Sequence, residues 1–226
     1  MAKIKPVYVM NENGLGRLEK AAVLDGIHEL LGFGGVSNLI EIVDYMVWRN
    51  DNYVNPDGSL KEYQSVDWFL QQGKNSSRSK SQVNATTMLH LLTFEPFRKI
   101  KDHYDCFIVH SDMYDGRKDI NFVIGLAREG IGTIISTDKF SNLDDRMRYE
   151  CVKTETMHEM GHVFGLLPNS RNYNVENSLG KHCANRCIMR QGLTLPSDWI
   201  KMTDDRWKYG PLCKDCKQDI KDYFRR

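Results

Sequence analysis

Two histidines four positions apart, with a glutamate after the first, form the chemically richest stretch of the chain: His158, Glu159 and His162 read H-E-x-x-H. On an α-helix, residues four apart stack one turn above each other on the same face. Both imidazoles can then reach one zinc ion at about 2.0 to 2.1 Å, with Glu159 alongside. An ion held by three protein ligands keeps a fourth position for water, lowers the pKa of that water to roughly 7 and polarises a carbonyl. Glu159 is the expected general base, taking the proton of the water and delivering it to the leaving amine. An amphipathic helix with two core histidines is the alternative, and it gives Glu159 no task.

A second donor set follows. Of six cysteines in 226 residues, four (Cys183, Cys187, Cys213 and Cys216) crowd toward the C-terminal end. In a reducing compartment such clustering reads as metal binding rather than as disulfides. Thiolates spaced C-x3-C and C-x2-C can close a tetrahedral four-thiolate zinc site with Zn–S distances of about 2.3 Å.

The elements that must position these groups can be traced from patterning. A strand is expected over 6–10, a helix over 15–31 stopped by "GFGG", and a second strand over 39–48, a length that would also suit a helix. The polar stretches 49–65 and 73–81 read as surface excursions that add nothing to the core. Residues 82–93 read as a helix, 105–110 as a buried strand, and 122–128 with 132–136 as two strands joined by the tight "EGIG" turn. Ser141 and Asp144 form an S-x-x-D capping box, which predicts a helix starting just after Ser141, running through the H-E-x-x-H to Phe164 and ending at Gly165. Beyond Gly165 the chain reads as irregular and held by its cysteines. Strands interleaved with helices predict an α/β layered domain with a mixed sheet.

Composition narrows the partners. With 41% hydrophobic and 10% aromatic residues the chain can bury a sizeable core, and a net charge of +1 supplies no basic field for nucleic acid. The N-terminal apolar run is too short for a signal-peptide core, and no stretch is long and apolar enough to span a bilayer. The expectation is a soluble, cytoplasmic monomer, with neither nucleic acid nor membrane as partner.

Taken in order, "HEMGHVFGL", "HC", "CIM" and "CKDC" resemble the archaemetzincins, a metzincin family with H-E-x-x-H-x-x-G-x-x-H-C, a second cysteine, x-Met and a distal C-x-x-C. Residues 109–137 are also similar to the segment before that family's zinc helix, and the likeness covers 105–216. The resemblance implies a zinc metallopeptidase acting on peptide or protein substrates. Its fold would be an α/β (α+β) metzincin-like domain: a mixed twisted sheet whose edge strand aligns extended substrate, a zinc helix, and a small cysteine-stapled C-terminal subdomain behind a Met-turn. Residues 1–166 and 167–226 would then be two parts of one compact unit. It further implies His158, His162 and His182 as catalytic-zinc ligands, Glu159 as general base and Met189 under the zinc. A structural zinc on the four cysteines would bring the count to two ions per chain.

The spacing departs from the family at one point: where its third histidine falls, this chain has Pro168, and His182 comes only after the insertion "LPNSRNYNVENSLGK". A polar loop can bulge while its ends stay put, because closure entropy grows only with the logarithm of length. Glu176 competes for the third position, since carboxylates serve there in other H-E-x-x-H enzymes. His182 could instead hydrogen-bond within the cysteine cluster, and Met189 could be ordinary core. A non-catalytic or degenerate zinc protein of the same fold stays open, as does a zinc-ribbon interaction module, although the near-neutral charge disfavours nucleic acid. Residues 122–128 are the expected substrate-facing edge strand, with a simply buried strand as the competing reading. Cys151 reads as core, and His28 and His90 as packing or surface residues. His103 reads as a loop residue without a partner, and His110, Asp112 and Asp115 as a loop cluster.

Overall fold

The computed structural model describes residues 4–79, 81–116 and 121–225. In chain order its elements are β1 (Val7–Asn11), α1 (Arg17–Gly34), β2 (Ile42–Met46), α2 (Val66–Asn75), β3 (Val83–Asn84), α3 (Ala85–Phe94), β4 (Tyr104–Val109), β5 (Met113–Tyr114), β6 (Gly125–Arg128) and β7 (Gly132–Ser136). They continue with α4 (Asp145–Val163), β8 (Val175–Glu176), β9 (His182–Cys183), α5 (Ser197–Tyr209) and α6 (Lys214–Arg225). Among the described residues the main sheet runs β2-β1-β4-β7-β6. All its pairings are parallel except β6 with β7, so β6 is an antiparallel edge.

Alternation along the strands builds a core on each face. Val7, Val9, Cys106, Ile108 and Ile135 face α1 and α4. Met10, Phe107, Val109 and Ile134 face α2 and α3. Every residue of β4 is buried, as a strand covered on both sides must be. This is the expected mixed α/β architecture, and it sets α4, the H-E-x-x-H helix, on one face with β6 beside it.

Four local readings change. Residues 66–72 form most of α2, capped by the Ser65 hydroxyl, which accepts from the Trp68 amide at 3.2 Å. Val66, Trp68, Phe69 and Leu70 are buried, and so is Gly73, against the surface position expected for 73–81. The strand expected over 122–128 starts only at Gly125, since Val123 makes an isolated bridge to Met113 instead. The cap of α4 is Asp144, whose carboxylate accepts from the Met147 amide at 2.9 Å; Ser141 closes a short 3-10 turn before it. The segment after Gly165 is not irregular throughout, because α5 packs on α4 and α6 on α1. The buried set Cys216, Ile220, Tyr223 and Phe224 recurs at helical spacing on α6.

α4 ends as the sequence predicts. The Gly165 amide bonds the His162 carbonyl and the Leu166 amide bonds the Gly161 carbonyl, with Gly165 at φ +65°, a conformation that favours glycine. The chain therefore turns back immediately after the second histidine. Tyr223 closes over this turn, and a Cβ on Gly165 would stand 2.4 Å from its ring.

Candidate active site

His158 and His162 project from successive turns of α4, and β9 carries His182 to the same point. The ring centroids lie 4.9 Å apart for His158 and His162, 5.3 Å for His158 and His182, and 5.1 Å for His162 and His182. One nitrogen from each ring lies within 4.8 Å of the others. His158 Nδ1 donates to the Ile188 carbonyl at 2.7 Å, which leaves Nε2 as the lone pair facing its neighbours. Burial and the nearby His182 push His158 down to about 3; burial and the other two rings hold His162 well below its ordinary value, and burial lowers His182. Three neutral imidazoles with converging lone pairs are a donor set that fits zinc.

Glu176 pairs with His182 across the two-residue ladder of β8 and β9, and its carboxylate accepts from the Gln191 amide at 3.0 Å. The insertion is thus a hairpin that presents His182 to the other two rings and engages Glu176 elsewhere.

The cysteines meet behind it. All four are free thiols, and Cys183, Cys187, Cys213 and Cys216 gather with their sulfurs within 4.8 Å of one another. The 3.7 Å between Cys183 Sγ and Cys213 Sγ is close to the edge of a tetrahedron with arms of about 2.3 Å, so this set also fits zinc. Arg171, buried inside the insertion, donates to Cys216 Sγ at 3.4 Å and Cys183 Sγ at 3.3 Å while its ion pair with Asp219 holds it to α6 at 2.7 Å. Asn185 donates to Cys213 Sγ at 3.4 Å.

Met189 links the two groups. Its carbonyl accepts from the Cys183 amide at 2.8 Å, and its side chain is fully buried against α4. A Cβ on Gly161 would stand 2.5 Å from the Met189 sulfur, so the glycine between the two helix histidines makes room for this methionine.

Glu159 lies beside the edge strand. A Cβ on Gly125 of β6 would come within 2.3 Å of Glu159 Cγ and of Glu155 Oε1. Burial first, and then the charge of Glu155, push Glu159 well above the usual carboxylate range; burial lifts Glu155 to about 8. Trp199 from α5 fixes Glu155 with an indole N–H donated at 2.6 Å. Sequence reading passed over Glu155, Trp199 and Arg171; the E-x-x-x-E spacing from Glu155 to Glu159 was a visible signal for the first, while the other two come together only through tertiary packing.

Elsewhere the polar readings divide. Cys151 is core, and His28 and His90 are exposed. His110 sits by Glu12, Asp112 pairs with Lys139, and Asp115 accepts from Thr86, as a loop cluster would. His103 contradicts its reading: it is 3% exposed and faces Glu95 and Asp105.

A mixed sheet with an H-E-x-x-H helix laid beside its edge strand defines a class, the zinc metallopeptidases. Comparison with known proteins narrows it. The chain is 31% identical over 144 residues to the archaemetzincin of Nanoarchaeum equitans, spanning 58% of this chain and 68% of that one. It is 32% identical over 144 residues to the archaemetzincin of Archaeoglobus fulgidus, spanning 63% and 71%. The crystal structure of the Methanopyrus kandleri archaemetzincin shares the fold at a TM-score of 0.63 and 18% identity, covering 99% of this chain and 97% of that one. No family profile matches the chain. On these likenesses the chain belongs to the archaemetzincin family of zinc metallopeptidases. No described helix is long and apolar enough to cross a membrane.

Proposed function

We propose that this chain hydrolyses peptide bonds at a centre in which His158, His162 and His182 hold a catalytic zinc and Glu159 is the general base. The convergence of the three imidazoles on the helix that carries Glu159 is the observation that supports this reading most. When bound, zinc supplies Lewis acidity toward water and the scissile carbonyl. Glu159 accepts the proton of the attacking water and returns it to the leaving amine. β6 offers its free edge to extended substrate through main-chain hydrogen bonds, and Gly125 lets that edge run close to the base.

Cys183, Cys187, Cys213 and Cys216 would hold a second, structural zinc in this reading, and Met189 packs against Gly161, between the two helix histidines. The chain works as one monomeric unit of two subdomains, 1–166 and 167–226.

The test is Glu159→Gln against wild type on a peptide library, with metal analysis of both. We expect two zinc ions per chain in each protein and turnover lower by about 100-fold or more in the variant, the scale of a lost general base. Undiminished turnover would remove Glu159 from the mechanism; a wild type that cleaves nothing while holding its zinc would favour the non-catalytic reading.

A further inference from the structure

Across the sheet from α4, three side chains each spend one polar atom and leave another. His103 Nδ1 lies 2.7 Å from the Lys101 carbonyl, so that nitrogen carries a proton and donates it. Glu95 Oε2 accepts from the Phe97 amide at 2.9 Å. Asp105 Oδ2 accepts from the Arg98 guanidinium. The remaining atoms turn toward one another. His103 Nε2 is 3.3 Å from Glu95 Oε1 and 3.2 Å from Asp105 Oδ1, and the three ligand atoms fall within 4.8 Å of one another.

Glu95 is 6% exposed and Asp105 1%, and Glu95 Oε1 has no hydrogen-bond partner. Two carboxylate oxygens aimed at one imidazole nitrogen repel it unless a positive charge lies between them. Arg98 Nε approaches Glu95 Oε1 only to 3.8 Å, too far for a hydrogen bond. Donors 3.2 to 3.3 Å apart are spaced as neighbours around a common ion at about 2.0 to 2.2 Å. Each side chain is also oriented by a partner on its other polar atom, as metal ligands commonly are. A cavity of about 330 Å³, lined by Tyr8, Trp48, Tyr63 and Phe97 among others, opens beside the group.

We propose that Glu95, His103 and Asp105 form a divalent metal site separate from the three-histidine and four-cysteine groups. One nitrogen and two carboxylate oxygens suit a first-row ion such as Zn²⁺ or Mn²⁺. None of its residues belongs to the peptidase centre, so the site stands or falls independently of that reading. The rival occupant is a proton on Nε2, which would make His103 an imidazolium shared by two carboxylates.

The test uses the full chain, with its other sites zinc-loaded, titrated with Mn²⁺ and followed by electron paramagnetic resonance, alongside Glu95→Gln and His103→Gln. We expect one saturable Mn²⁺ per wild-type chain and binding weaker by about 10-fold or more in each variant, with circular dichroism unchanged. Wild-type crystals soaked in Mn²⁺ settle the matter even where a variant misfolds: an anomalous peak among the three side chains is expected. No saturable uptake and no such peak, or nitrogen-15 spectra showing both His103 nitrogens protonated in the Mn²⁺-treated protein, would overturn the proposal.

Discussion

At the scale of single residues, Arg171 and Gly161 carry more than their types suggest. Arg171 places its charge against Cys183 and Cys216, where a four-thiolate zinc would leave net negative charge buried. Arg171→Met should speed zinc loss to a chromogenic chelator and weaken retention by about 10- to 100-fold, the scale of a lost partner to metal ligands. Gly161→Ala should gain up to about 1 kcal/mol of helix propensity and lose about 1 to 3 to the clash with the Met189 sulfur, so its urea midpoint should fall. His158, Glu159 and His162 were legible in the sequence because their meaning is local to one helix. His182 was nameable only through the family's H-C pair, since a strand pairing across the insertion delivers it. His103 departs from its expectation for a related reason: its partners are close in sequence, but only packing at the start of the central strand β4 buries them together.

At the scale of elements, sequence reading succeeded where the apolar period was long and failed where it was brief. β4 and α1 declare themselves by continuous or repeating apolar residues. In α2 the buried "VDWFL" is a single turn and a half between polar stretches, too little to display a period. α6 does carry one, through Cys216, Ile220, Tyr223 and Phe224, but lysines and aspartates fill the intervening positions and the Pro- and Gly-rich approach obscures it. The capping box around Ser141 misled because two candidate caps lie three residues apart. Asp144→Ala should cost about 1 kcal/mol, while Ser141→Ala should stay within about 0.5 kcal/mol of wild type, both checked by thermal unfolding.

At the scale of the whole molecule, the strands of the main sheet carry no member of the three-histidine or four-cysteine groups, whereas the segment after Gly165 carries His182 and all four of those cysteines. Chelation should therefore act unevenly. Hydrogen exchange of the metal-stripped protein should rise over 168–190 and in α6, while the amides of β4 and β7 keep their protection. Uniform loss of protection across the sheet would contradict this division. β6 lies at the antiparallel edge of the sheet with the H-E-x-x-H helix at its side. The family resemblance implied such an edge strand, whereas the α/β pattern alone did not separate it from a buried one. The route by which the chain returns beside the helix was not legible in the sequence.

His182 and Cys183 are consecutive residues of β9, and the Cys183 amide is tied to Met189. One peptide unit therefore joins a member of the imidazole group to a member of the thiol group, so the two centres are coupled in series like links of a chain. On the proposed reading, an oxidant that consumed the thiols would slacken the third imidazole at the same time, and catalytic failure would arrive together with structural failure.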